Sequence, residues 1–317
     1  MVGPLASVIV PSFNGAHLLP TCLDSLLRQT YAPLEVIVAD GASKDATAHL
    51  IADRYPNVRL LTLRRNRGFS GNVNAGLRAA RGEILLLLNN DAEAEPDWVA
   101  ASIDALLEQP RLGSVASKVL YADRVTINSA GDVFGRNGAP WQRGSGQPDS
   151  AAWSTAEPIF GASGGAAAYR RRMLADVGLL DEDFFMYLED VDLAFRAQLR
   201  GWGCVYEPRA RVYHAGSASS PGPLVSFYNG RNLIRLLIKD VPAGLVRPLL
   251  PAALRYQARR ARLAMAAWRG AEARATLRGQ LAGLAELPRH LAARGPIQAR
   301  RCVSDAALYA LLSPEPM

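Results

Sequence analysis

The chain has 317 residues, of which 49% are hydrophobic and 21% charged. That is globular composition with chain enough for one large domain and an appendage, or for two domains, and it excludes a disordered polymer or a collagen-like fibre. The net charge of +7 is concentrated at one end: from Lys239 onward 13 Lys and Arg face 5 Asp and Glu, while residues 1–238 are nearly neutral, which argues against a nucleic-acid-binding surface over the body.

In chain order, Ser7-Val8-Ile9-Val10 reads as a first strand that stops at the turn residues Pro11-Ser12-Phe13-Asn14-Gly15. No basic region or long apolar stretch precedes it, so no signal peptide is expected. Leu18, Leu19, Cys22, Leu23, Leu26 and Leu27 recur at helical spacing. A strand over 35–39, a loop over 40–45 and a helix over 46–54 follow. Next come a strand over 58–63, a turn-rich loop over 66–71 and a helix ending near Gly82. Residues 83–88 form the most apolar strand, expected in the middle of a parallel sheet. Its aliphatic run is far shorter than the ~18 residues of a membrane-crossing helix.

Beyond it the pattern predicts a helix over 97–108, shorter strands, and a loop rich in Gly, Ser and Pro over 131–146. The small residues 161–165, an acidic cluster over 181–192 and a helix to about Arg200 come next. From Leu224 the chain reads as helical, broken by prolines 242, 248 and 251. The three cysteines, Cys22, Cys204 and Cys302, form neither a CxxC pair nor a zinc pattern. A reduced, cytoplasmic setting without structural metal is expected.

In a parallel α/β sheet ligands bind beyond the carboxyl ends of the strands, which selects residues 11–15, 40–45 and 89–91. Asp91, straight after the apolar strand, is placed to give a hard oxygen ligand to Mg²⁺ or Mn²⁺ beside phosphates; its other reading is a cap for the helix after Pro96. Asp40 and Ser43 read either as a pyrimidine-binding pair or as turn residues. Two further acidic triplets, 181–183 and 190–192, do not follow a buried strand. Glu189 and Asp190 open a helix, where acids also suit the dipole. The run Phe184-Phe185-Met186-Tyr187 before them is either core or a wall for a sugar.

These segments, taken together, resemble glycosyltransferase family 2. The resemblance rests on residues 8–14, 23–26 with Gln29-Thr30, 35–45, 65–76 and 88–91 in order, then 161–165, 177–193, Arg196 and Gly201-Trp202. It covers residues 5–235 and is similar to bacterial rhamnosyl- and galactofuranosyltransferase-like members. It implies a GT-A fold, a Rossmann-like, mostly parallel α/β sheet flanked by helices, with a helical C-terminal extension. It further implies three parts: 1–120 binding a nucleotide sugar, 121–238 binding the acceptor and carrying catalysis, and 239–317 as the basic helical segment.

The same resemblance implies an inverting, metal-dependent transfer from a UDP- or dTDP-linked sugar to a hydroxyl of a glycan or glycolipid. Asp190 would be the general base with Glu189 supporting it. Pro11, Ser12, Phe13, Asn14, Asp40, Ser43, Asn66, Gly68, Asn72 and Asn90 would bind the nucleotide. Asp91 and His214 would bind Mg²⁺ or Mn²⁺, with a packed loop histidine as the other reading of His214. Gly164, Tyr187 and Trp202 would meet the acceptor. Asn89 stands where many relatives have the first Asp of a DxD motif, which keeps open a silent nucleotide-sugar-binding protein. A nucleotidyltransferase is the other alternative, but residues 11–20 lack the Arg and Lys it needs.

The tail carries Arg255, Arg259, Arg260, Arg262, Arg269, Arg274 and Arg278 among Leu, Ala, Met265 and Trp268. It reads as a membrane-surface segment on the inner face of the cytoplasmic membrane, as helices packed on the catalytic part, or as a dimer interface.

Overall fold

A computed structural model describes residues 3–216 and 222–314. Four parallel strands carry the first third: β1 (Ala6–Ser12), β2 (Leu34–Asp40), β3 (Arg59–Thr62) and β4 (Ile84–Leu88), in the order β4-β1-β2-β3. The helices α1 (Leu19–Leu27), α2 (Thr47–Arg54) and α3 (Gly68–Ala79) connect them. The chain continues through β5 (Ala92–Ala94), α4 (Trp98–Glu108), β6 (Leu112–Tyr121), β7 (Ile127–Ser129), β8 (Asp132–Phe134), β9 (Pro140–Gln142) and β10 (Glu157–Ile159). Then come β11 (Ala166–Arg170), α5 (Arg171–Val177), α6 (Glu189–Leu199) and β12 (Gly203–His214).

The apolar strand β4 is central, but in a mixed sheet. It pairs parallel with β1 and antiparallel with β11, which itself pairs antiparallel with β6. Its alternate residues serve two cores: Ile84, Leu86 and Leu88 pack on one face, Leu85 and Leu87 on the other. Each such side chain contributes ~1.5–3 kcal/mol when fully buried. One sheet therefore runs through both expected halves, and the carboxyl end of β4 meets the amino end of β11.

Two expectations change in detail. The segment 131–146 is not all loop, because β8 and β9 pair as a small antiparallel hairpin. The turn-rich residues 68–71 already belong to α3.

The tail is helical: α7 (Gly222–Asp240), α8 (Ala243–Ala266), α9 (Ala271–Ala285), α10 (Leu287–Ala299) and α11 (Asp305–Leu311). Pro242 caps α8, but Pro248 and Pro251 lie inside it rather than breaking it. Each removes one ladder hydrogen bond near the start of the helix, where Leu245, Leu249 and Ala253 hold the turns by packing. Helix α9 lies so close to α7 that a Cβ on Gly279 would run into the Phe227 carbonyl. A third core, including Phe134, Phe160, Phe184, Phe195, Leu233, Leu236 and Leu249, joins α6, α7 and α8. The tail is thus packed on the catalytic part. Among the described residues no helix is long and apolar enough to cross a membrane.

Candidate active site

The loops after β1, β2 and β4 sit side by side and are fastened by short polar links. The Asn14 amide donates to Ser43 Oγ at 2.7 Å, Asn14 Oδ1 accepts from the Lys44 amide at 2.9 Å, and Asp45 accepts from the Ala16 amide at 2.9 Å. Asp40, buried at the end of β2, accepts from the Ser43 amide at 3.2 Å and from the Ser43 hydroxyl. Asn66 Oδ1 accepts from the Gly68 amide at 2.9 Å and from Asn72 Nδ2 at 3.2 Å, and Asn72 Oδ1 accepts from the Arg67 amide. Asn90 Nδ2 donates to Ser12 Oγ at 3.2 Å. Pro11 lies buried near the end of β1, and Phe13 just beyond the strand is exposed. Asn66 and Asn72 lie against Gly41, where a Cβ would meet both side chains, so the expected nucleotide-binding residues line one rim.

Asp91 does not cap a helix, because β5 intervenes and α4 has Asp97 at its N-cap. Its Oδ1 lies 3.1 Å from His214 Nε2 at the end of β12, and its carbonyl accepts from the Ala215 amide at 3.0 Å. Two ligands in cis positions on a six-coordinate Mg²⁺, each at about 2.1 Å, are separated by about 3 Å. The Asp91–His214 pair fits that spacing. Among the described residues no group of three or more His, Cys, Asp or Glu is placed to hold a metal ion, so oxygens of a bound diphosphate would have to complete the shell. The triplets at 181–183 and 190–192 are otherwise engaged: Asp181 and Asp192 pair with Lys239, Asp181 and Asp183 with Arg235, and Asp192 with Arg196.

On the acceptor side, Asp190 stands in the first turn of α6, with Oδ2 accepting from the Gly164 amide at 2.8 Å and Oδ1 from the Val191 amide at 2.8 Å. The next residue, Gly165, accepts from the Asn89 amide at 2.9 Å. A single two-residue step thus touches Asp190 with one residue and the loop of Asp91 with the other. Glu189 is buried, and its Oε2 has no hydrogen-bond partner among the described residues.

Burial, then the neighbouring Asp190, pushes Glu189 well above the usual carboxylate range. Burial also raises Asp190, but the Gly164 and Val191 amides oppose it. Of the two acids, Asp190 is better supported as an anion. Asp132, a buried acid that the sequence did not single out, is also raised well above its ordinary range by burial and by Asp190 and Glu189.

The aromatic run divides. Phe184 is core, Phe185 stacks on Tyr228 with ring centres 5.2 Å apart, and Tyr187 remains half-buried near Asp190 in sequence. Gly68 touches this loop directly: at φ 73° it is in the left-handed region, and a Cβ would run into the Phe185 carbonyl. Trp202 does not join the other candidates. Its indole donates to Asp176 at 2.8 Å in the core, at the start of β12. The twelve residues of that strand separate it from His214 by on the order of 30 Å. Its place in the sequence motif reflects packing at that corner.

A sequence profile described as glycosyl transferase family 2 matches residues 7–178. The chain belongs to glycosyltransferase family 2. A Mycobacterium tuberculosis protein named N-acetylglucosaminyl-diphospho-decaprenol L-rhamnosyltransferase is 32% identical, over 68% of this chain and 76% of that protein. The Myxococcus xanthus O-antigen biosynthesis protein RfbC is 31% identical over 68% of this chain, which corresponds to only 18% of RfbC. Among solved structures, the Pyrobaculum calidifontis mannosyltransferase PcManGT in complex with GDP-Man and Mn²⁺ superposes with a TM-score of 0.55 at 23% identity, covering 97% of this chain and 79% of that one. S. aureus TarS in complex with UDP-GlcNAc gives 0.53 at 21% identity, over 77% and 70%. These likenesses establish the GT-A fold.

Proposed function

We propose that this enzyme moves a sugar from a UDP- or dTDP-linked donor to a hydroxyl of a lipid-linked or polymeric glycan, with inversion at the anomeric carbon. The observation that carries this reading is the Gly164-Gly165 step, which ties Asp190 to the loop of Asp91 through adjacent residues. Asp190 takes the acceptor proton as the oxygen bonds to the anomeric carbon, while the bond from that carbon to the nucleotide diphosphate breaks and the pair leaves with phosphate. Asp91 and His214 would hold Mg²⁺ or Mn²⁺, whose chemistry here is to neutralise charge on the departing diphosphate. Asp40, with Asn66 and Asn72 beside it, would read the base. The mycobacterial relative's name supports a deoxyhexose donor and a lipid diphosphate acceptor.

A thermal-shift series of UDP- and dTDP-sugars with and without Mn²⁺ tests the donor assignment. A matched donor at 100 times its Kd stabilises by about 2.7 kcal/mol. The reading predicts one sugar nucleotide that does so, with a smaller shift when Mn²⁺ is omitted. A protein that responds to nucleoside triphosphates and to no sugar nucleotide would contradict it.

The same reading places the enzyme at the inner face of the cytoplasmic membrane. Exposed Val246, Leu250, Leu254 and Met265 recur near one side of α8, Leu281 and Leu284 are exposed on α9, and Leu287 and Leu291 on α10. With Arg255, Arg259 and Arg262 further round the same helix, α8 combines an exposed apolar stripe with basic residues, as a helix lying on an anionic lipid surface does.

A further inference from the structure

The loop that delivers Asp190 is an unusual stretch of backbone. Phe185, Tyr187 and Leu188 all have positive φ, at 64°, 67° and 67°, a region in which residues with a bulky side chain carry a steric cost. Leu188 is the N-cap of α6, and Glu189 and Asp190 follow it immediately. The backbone hydrogen bonds within the loop run from Phe184 to the Asp181 carbonyl, from Phe185 to the Glu182 carbonyl and from Met186 to the Phe184 carbonyl, and none of them involves the amide or carbonyl of Tyr187. Something else must hold it.

The Ser70 amide of α3 donates to the Phe185 carbonyl at 3.1 Å, and the rest of that support comes from one side of α7. Asn232 is fully buried, and its Nδ2 lies 3.0 Å from the Phe184 carbonyl, 2.9 Å from that of Met186 and 2.8 Å from that of Tyr187. Three carbonyls can be met only by donors, so the amide nitrogen must face them. Asn232 Oδ1 in turn accepts from Arg231 Nη1 at 3.0 Å, which fixes the amide's orientation. The same Arg231 nitrogen donates to the Asp183 carbonyl at 2.7 Å, and the guanidinium is held by Glu286 at 2.8 Å. One and two turns further along α7, Arg235 and Lys239 grip Asp181, with Arg235 also on Asp183 and Lys239 on Asp192 of α6. These contacts clamp both ends of the loop, and Asn232 holds its centre.

We propose that Asn232 is a positioning residue for the transfer. With its two N–H groups shared among the three carbonyls of the turn, one of them bifurcated, it sets where α6 begins and so where the Asp190 carboxylate stands against Gly164. The inference rests on the reading of Asp190 as the general base. It differs from a purely structural role because, among the described residues, the side-chain hydrogen bonds of Asn232 go to Phe184, Met186, Tyr187 and Arg231 and none to the donor-side rim, and the one neighbouring rim link, from the Ser70 amide to the Phe185 carbonyl, does not use its amide, so donor binding should survive the loss of that amide.

The test compares Asn232→Ala, Asn232→Ser and Asp190→Asn in the full-length protein, measuring melting temperature, donor affinity, and kcat and KM for transfer. Asn232→Ser is the milder change should the alanine variant fail to fold. The expected result is donor affinity and donor KM within twofold of wild type, with kcat lowered roughly 10- to 100-fold, as misplacement of a catalytic group by about 1 Å produces. Adding Leu188→Asn, a residue type that tolerates positive φ, should recover part of that kcat without changing donor KM. Wild-type kcat in a folded Asn232 variant, with Asp190→Asn inactive, overturns this inference and leaves the base assignment intact. A loss that appears equally in donor KM, with no recovery from Leu188→Asn, overturns it as well. Full turnover by Asp190→Asn overturns the base assignment itself.

Discussion

The donor-side rim and the acceptor loop are built by different means. Each rim loop follows a parallel strand, buried in β1, β2 and β4, and is fastened by a neighbour of the same rim: Asn14 to Ser43, Asp40 to Ser43, Asn66 to Asn72, Ser12 to Asn90. The acceptor loop, residues 181–188, follows no strand. It is held mainly by Arg231, Asn232, Arg235 and Lys239, some fifty residues later in the chain, with Glu182 and Phe185 also tied to Arg67, Asn74 and Ser70 of the first third. The rim is therefore a product of the sheet, whereas the loop before Asp190 depends largely on the helical tail. The two meet where Gly68 and Ser70 lie against Phe185, but changes in the helical tail should act first on the loop and changes in the strand-end loops first on the rim.

Asp91→Ala strikes the rim. It should weaken Mn²⁺-dependent nucleotide binding by roughly 10-fold or more, the scale on which disturbed metal sites lose affinity, and leave the affinity without Mn²⁺ nearly unchanged. Calorimetry with and without the ion reads this directly. Equal affinities in wild type and variant under both conditions would remove Asp91 from the metal site.

A smaller effect is expected on the outer face of the tail. Leu250→Glu with Leu254→Glu should reduce flotation with anionic vesicles severalfold and leave transfer to a soluble acceptor unchanged, since both residues are exposed and face away from the buried side of α8. Deleting the tail would be a poor substitute, because Arg231 would lose Glu286, and Arg235 would lose its 3.2 Å contact with His290. Undiminished flotation of the double variant would exclude this face as the contact.

The same contrast explains what could be read from the sequence. Strands β1 to β4 and their loops were legible because short apolar runs, turn residues and helical spacing are local signals, and the geometric rule for α/β sheets then pointed to 11–15, 40–45 and 89–91. Asp190 was legible as an acid opening a helix. The antiparallel insertion of β11 beside β4 was not, since pairing partners distant in sequence leave no local mark on residues 166–170. Nor was the role of Asn232: a polar residue inside an amphipathic helix looks like solvated surface until the carbonyls it meets are known. Trp202 was drawn into the site by its neighbours in sequence, although its indole serves Asp176. The prolines of α8 show packing overriding a local breaker.

The most direct test of the whole account is the comparison of Asp190→Asn with Glu189→Gln, each assayed for donor affinity and for transfer. The account predicts that Asp190→Asn binds donor as wild type does and loses transfer by ~10²-fold or more, the contribution expected of a general base, while Glu189→Gln retains substantially more activity. Near-normal turnover by Asp190→Asn, or abolition by Glu189→Gln alone, would contradict it.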